Sequence, residues 1–190
     1  MPPRKPSIPT CLYQIKITLQ DLRPPVWRRV QVWSDISLGE LHQIIQIVMG
    51  WTDSHLHLFL IQGMEYGEPD PEYDWEVKDE RKVKLNRVVS GEKFKFRYTY
   101  DMGDSWEHEI LIEKVLPAEP EIPCYGVCVT GKRACPPEDC GGTWGYTELI
   151  ETLRDPNHPE HESMLEWVGE EFNPEAFDVN EINEALHQLK

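Results

Sequence analysis

Between Lys93 and Glu113 one face is apolar at almost every second position, with the pattern interrupted by the segment 101–105 and by Leu111. Phe94, Phe96, Tyr98 and Tyr100 take every second position of "EKFKFRYTYD", with Lys93, Lys95, Arg97 and Thr99 between them. After "DMGDS", the run "WEHEILIEKV" sets Trp106, His108, Ile110 and Ile112 against a face rich in glutamate: Glu107, Glu109 and Glu113. A period of two puts alternate side chains on opposite faces of a strand. A short break containing glycine between two such runs is a hairpin. The chain must therefore build a sheet with one buried face, and the remaining segments must cover it.

Two more runs share that period. "LYQIKITLQ" (12–20) aligns Tyr13, Ile15, Ile17 and Leu19, and "VWRRVQVW" (26–33) aligns Val26, Val30 and Val32. The intervening "DLRPP" is a turn, because proline cannot donate to a ladder. A helix follows. Ser37 is its N-cap, and Glu40, three residues on, completes a capping box. Leu38, Leu41, Ile45 and Val48 have helical spacing, and Gly50 ends the segment. "HLHLFLIQG" (55–63) returns to strand, with His55, His57, Phe59 and Ile61 on one face. Residues 64–80 are acidic, contain proline and lack a pattern, so they read as a solvated loop. "KVKL" (82–85) reads as a short strand.

After Leu116 the pattern stops, and 117–142 reads as an irregular connector rich in cysteine and proline. Helical spacing begins at Thr143, a candidate cap. Tyr146, Leu149, Ile150 and Leu153 follow, and Pro156 ends the run. Asn157 or His158, with Pro159, opens a second helix carrying Met164, Leu165, Trp167 and Val168. A third carries Ile182, Ala185, Leu186 and Leu189. Strands first and helices last give an α+β fold: one antiparallel or mixed sheet, a β-grasp-like opening and C-terminal helices packed on the sheet. The expected organisation is a flexible tail over 1–10 and a single domain over 11–190.

Charge narrows the partners. The chain has 34 acidic against 19 basic residues, a net −15, and residues 151–190 hold eleven acids and two bases. Such a surface repels phosphate, which disfavours nucleic acid. No run approaches the roughly 20 apolar residues of a membrane span. "MPPRKPSIPT" has no apolar core for a signal peptide, so the expected compartment is the cytoplasm. The five cysteines then read as thiols rather than disulfides.

Few residue groups suggest chemistry. Cys124, Cys128, Cys135 and Cys140 are spaced x3, x6 and x4, a loose match to the paired knuckles of structural zinc. Asp101, Asp104 and His108 bracket the hairpin turn and form a carboxylate–imidazole set suited to a divalent cation. Turn aspartates also bond their own backbone, and His108 shares the apolar face of Trp106. His55 and His57, two residues apart, have chelating spacing on a face that Phe59 and Ile61 continue. In "RACPPEDCGGTWGYTELI" (133–150), prolines stiffen a corner. Glu138 and Asp139 put negative charge before a helix start, and Tyr146 lies one turn inside it. A Cys140 nucleophile has no placeable base, and no triad, zincin or phosphate-loop motif is present. The expected ligand or partner cluster is Asp101, Asp104, His108, Glu138, Asp139 and Tyr146.

The segments "YQIKITLQDLRPPVWRRVQV", "LGELHQIIQIVMGW", "HLHLF", "YTYDMGDSWEHEILIEK", "CVTGKRACPPEDCGG" and "DPNHPEHESMLEWVGEEFNPEAFDVNEIN" resemble the plasmid ORF-three-like family over about residues 11–187. The resemblance implies a link to plasmid or mobile-element biology and names no reaction. The resolvase-like label of some members finds no recombinase serine context or basic arm here. Two readings follow. The first is a non-enzymatic binding or accessory module that takes a protein partner or a small ligand and needs no cofactor. The second is a protein, or an enzyme, that uses zinc or another divalent cation at the Asp/His/Glu cluster.

Overall fold

The predicted hairpin forms the middle of the sheet. In the computed structural model, which describes residues 10–70, 76–169 and 172–189, β6 (Lys95–Tyr100) pairs with β7 (Trp106–Leu116). The register sets Phe96 opposite Ile110, Tyr98 opposite His108 and Tyr100 opposite Trp106. Tyr98, Tyr100, Trp106, Ile110 and Ile112 have no exposed surface. β1 (Leu12–Leu19) runs antiparallel to β7 on one side and to β2 (Trp27–Trp33) on the other.

α1 (Leu38–Met49) has the capping box read from the sequence. Glu40 N–H donates to Ser37 Oγ, and Ser37 N–H donates to the Glu40 carboxylate. Gly50 closes the helix in the left-handed region. The helix lies against the sheet face that carries Arg28 and Tyr98. Arg28 Nε donates to Val48 O at 2.6 Å, and Gln46 donates to the Tyr98 hydroxyl at 3.0 Å. Leu38, Leu41, Ile44, Ile45 and Val48 are buried in this contact. At about 2 kcal/mol for each large apolar side chain, the interface outweighs any helix propensity in holding α1 in place.

β3 (His57–Ile61) pairs with β6 and with β4 (Met64–Gly67), and not with the opening hairpin. β4 lies in the stretch read as a solvated loop. Gln62 (φ 52°) and Gly63 (φ 78°) make the two-residue turn, with both residues left-handed, that matches the twist of a tight hairpin. β5 (Lys78–Asp79) adds a parallel edge to β4. Part of that stretch, 71–75, and nearly all of the expected N-terminal tail lie outside the described residues.

The predicted strand over 82–85 is absent. Glu80–Lys82 form a 3-10 turn, and Leu85–Val88 form the short helix α2. Their backbone groups bond the approach to α1, with Leu38 N–H on Val83 O and Leu85 N–H on Ile36 O. The connector expected to be irregular holds a strand as well. β8 (Val127–Lys132) pairs with β2 at the far edge, so eight strands lie in the order β5-β4-β3-β6-β7-β1-β2-β8.

Of the helices that follow, α3 (Gly142–Arg154) sends Tyr146, Leu149 and Ile150 into the core. Gly141, not Thr143, holds the cap position, and no side chain caps the helix. α4 (His161–Val168) starts later than predicted, at His161, and buries none of its residues. α5 (Val179–Leu186) lies against β8 and α1. Asn183 bonds both the N–H and the C=O of Cys128, which occupies the exposed edge of the sheet. Among the described residues no helix is long and apolar enough to cross a membrane.

Candidate functional site

A cavity of about 540 Å³ opens between α1, the turn at 53–56, the start of β3 and the turn at 79–81. One set of histidine and carboxylate groups lines it, and a second reaches it through His55.

The first set is buried except for Asp53, whose side chain is 54% exposed. His42 comes from α1 and His57 from β3, and their rings stack 3.4 Å apart with 6° between the planes. His42 Nδ1 meets the Tyr98 hydroxyl at 2.8 Å, and its Nε2 meets Asp53 Oδ1 at 2.9 Å. His57 Nε2 meets Glu80 Oε2 at 2.9 Å. Asp53 is fixed in turn by its own N–H, which donates to Gln46 Oε1. Burial pushes the His42 pKa down, and the neighbouring His57 pushes it the same way, against the pull of Asp53. Both rings follow from local patterning: His42 lies on the apolar face of α1, and His57 is on the inward face of β3.

The second set forms where two turns meet. Asp101 ends β6, and its Oδ1 accepts the N–H groups of Gly103 (2.8 Å) and Asp104 (3.3 Å). Asp104 Oδ2 accepts the Gly141 N–H at 3.1 Å, which ties this turn to the start of α3. The approach requires glycine at 142, because a Cβ there would lie 2.5 Å from Asp104 O, and the residue has φ +68°. Glu138 Oε1 accepts from Thr52 N–H (2.9 Å) and from the Tyr100 hydroxyl (3.0 Å). Burial, together with Glu138, raises the Tyr100 pKa. His55 closes the set, its Nε2 lying 3.1 Å from Asp139, 3.7 Å from Asp101 and 3.9 Å from Glu138.

Asp101, Asp104, Glu138 and Asp139 thus come together, while His108 and Tyr146 do not join them. His108 lies under the sheet, edge-on to Trp51, with Nδ1 3.3 Å from Tyr98 O. Full burial pushes its pKa down to about 4, so it is neutral at neutral pH. Tyr146 is buried in α3, and burial raises its hydroxyl to about 12.

The cysteines scatter. Cys124 is exposed, and burial raises Cys128 to about 11 and Cys140 to about 12, with Cys135 raised as well. Such thiols resist becoming the thiolates that metal ligation or attack requires. Among the described residues, the groups whose ligand atoms lie close enough for one ion are His42/Asp53/His57 and His55/Asp101/Asp139, and neither includes a cysteine.

The family described as "Plasmid pRiA4b ORF-3-like protein" matches residues 11–181. The chain belongs to this family. It is similar to "Uncharacterized protein y4hQ" of Sinorhizobium fredii (strain NBRC 101917 / NGR234), with 41% identity over 178 residues, 93% of this chain and 91% of that one. It is also similar to the crystal structure titled "Protein of Unknown Function MM3350 from Methanosarcina mazei Go1". That match has 37% identity and a TM-score of 0.82, and it covers 90% of this chain and 97% of that chain.

In this family member the sequence reading missed His42, Asp53 and Glu80 as site residues. His42 was legible as a polar interruption of an apolar helix face. Glu80 and Asp53 are acids in turns, and nothing local marks them. The reading also kept His55 and His57 together, but the strand begins at His57, so the two rings serve different sets.

Proposed function

We propose that this family member is a binding module whose ligand is a small molecule carrying positive charge, held in the cavity between α1 and the turns at 53–56 and 79–81. The observation that carries this reading is the stacked pair His42–His57 set between Asp53 and Glu80. Two rings 3.4 Å apart cannot both hold a proton without strong repulsion. One positive charge at most therefore faces two carboxylates, and the wall is left short of a cation. Arg81, which also lines the cavity, is engaged by Asp79 at 3.1 Å and Glu68 at 3.0 Å. The volume lies in the range of small-molecule sites.

The net charge of −15 supports a cationic ligand over a nucleic acid. Five unpaired cysteines support a reducing, cytoplasmic setting. A role in plasmid or mobile-element biology is supported by the family's description alone. Calorimetric titration with spermidine and with agmatine as probes tests the reading. Saturable binding that weakens with salt, and weakens on Glu80→Gln or Asp53→Asn, is the expected result. Absence of binding at millimolar probe, or binding that neither substitution changes, contradicts it.

A further inference from the structure

We infer that the seam between the 101–104 turn and the 138–141 turn is a separate site for one divalent transition-metal ion, held by His55 Nε2 and one oxygen each of Asp101 and Asp139, with Glu138 beside them. His55 lies at the centre of this seam. Its Nε2 is closed off from solvent yet makes no hydrogen bond, although the nearest carboxylate oxygen stands 3.1 Å away. Three carboxylate oxygens stand 3.1, 3.7 and 3.9 Å from this nitrogen. Ligand atoms bonded at about 2.1 Å to one ion at tetrahedral to octahedral angles are separated by roughly 3.0–3.5 Å. The Asp139 distance lies in that range and the Asp101 distance just above it, so closing on an ion requires only a small contraction.

The other oxygens of two of these carboxylates supply a second, independent observation. Asp101, its side chain 9% exposed, spends Oδ1 on two backbone N–H groups of its own turn and directs Oδ2 at His55 without a hydrogen bond. Glu138 spends Oε1 on Thr52 and on Tyr100, whose hydroxyl also stands 3.3 Å from Oε2, and directs Oε2 at His55. One oxygen anchored by the protein and the other presented to a common point is the support that metal-ligating carboxylates show. Among the described residues no lysine or arginine pairs with Asp101, Glu138 or Asp139, so their charges have only His55 to face. One imidazole and two carboxylates, with a third carboxylate beside them, suit a borderline-to-hard ion such as Mn²⁺ or Zn²⁺.

The test uses the full chain stripped of metal by chelator and dialysis, with Mn²⁺ alone as the probe and free Mn²⁺ read by electron paramagnetic resonance. One ion per chain is expected. His55→Ala and Asp139→Asn should each weaken binding by roughly a hundredfold. Asp139 is 73% exposed on its side chain and asparagine tolerates its left-handed backbone, so the second variant tests the site without endangering the fold. Glu80→Gln, in the cavity wall, should leave Mn²⁺ binding unchanged, which separates this site from the cavity reading. No binding at 1 mM ion by the folded wild type (a concentration of about 1 mM marks only about 4 kcal/mol of affinity) overturns the inference. So does full binding by His55→Ala, or an equal loss in Glu80→Gln.

Discussion

His42 is engaged through both ring nitrogens, by Tyr98 and Asp53, and His57 Nε2 holds Glu80. His55 Nε2, with three carboxylates within 3.9 Å, holds nothing. The second neighbourhood reaches the cavity of the first through His55 and uses the same residue types, but the two resolve charge differently. In the first, the buried Glu80 and the half-exposed Asp53 are each matched to a buried ring, so removing the ring that faces Glu80 leaves an uncompensated buried group. In the second, Asp101 and Glu138 are held by their far oxygens and share one imidazole with Asp139, so a cation supplied from outside settles the set. The first set should therefore matter to the stability of the metal-free chain, and the second should matter only once an ion is present.

The sharpest way to break this comparison is His57→Ala. It removes the stack on His42 and leaves the 4%-exposed Glu80 without its hydrogen-bond partner, and urea unfolding should report a loss of about 4 kcal/mol. A loss below 1 kcal/mol would show that the buried set is not structural.

Acid comes next. The native His108 pKa is depressed to about 4 from its ordinary 6.5, so below pH 6.5 the unfolded chain takes up a proton that the native chain refuses. Stability should fall by about 3 kcal/mol between pH 6.5 and 4, with the lowered His42 adding in the same direction. Urea midpoints across that window test this, and His108→Gln should flatten the slope.

Smaller still is the linkage to metal. Mn²⁺ at a hundred times its wild-type dissociation constant should raise unfolding free energy by about 2.7 kcal/mol in the wild type and by only about 0.4 kcal/mol in His55→Ala, whose affinity is roughly a hundredfold weaker. The least effect should come from His55→Ala in the absence of metal, within about 0.5 kcal/mol of wild type. A destabilisation comparable to that of His57→Ala would erase the difference between the two neighbourhoods.

Much of this was legible locally. The β6–β7 register, the β1–β2 pairing and the capped α1 follow from period, caps and turns, because one buried face leaves a strand little freedom of register. β4 was hidden by its brevity, although Gln62–Gly63 carried the signal of a tight hairpin. β8, "VCVTGK", is an edge strand whose partner on the outer side is Asn183 of α5, 55 residues away, and no local pattern encodes that bond. The segment at 82–85 alternates like a strand, but its backbone bonds belong to the loop before α1. The site divides in the same way. Asp101 and Asp104 were readable as turn acids, and Glu138 and Asp139 as acids before a helix. Their meeting with His55 depends on Gly142 letting the Asp104 backbone approach α3, a contact between distant segments.

A crystal of the full chain soaked in MnCl₂ and measured for anomalous scattering tests the central claim most directly. The account predicts one strong peak within bonding distance of His55 Nε2, Asp101 Oδ2 and Asp139 Oδ1. A map with no peak there, or with its peak between His42 and His57 instead, would contradict it.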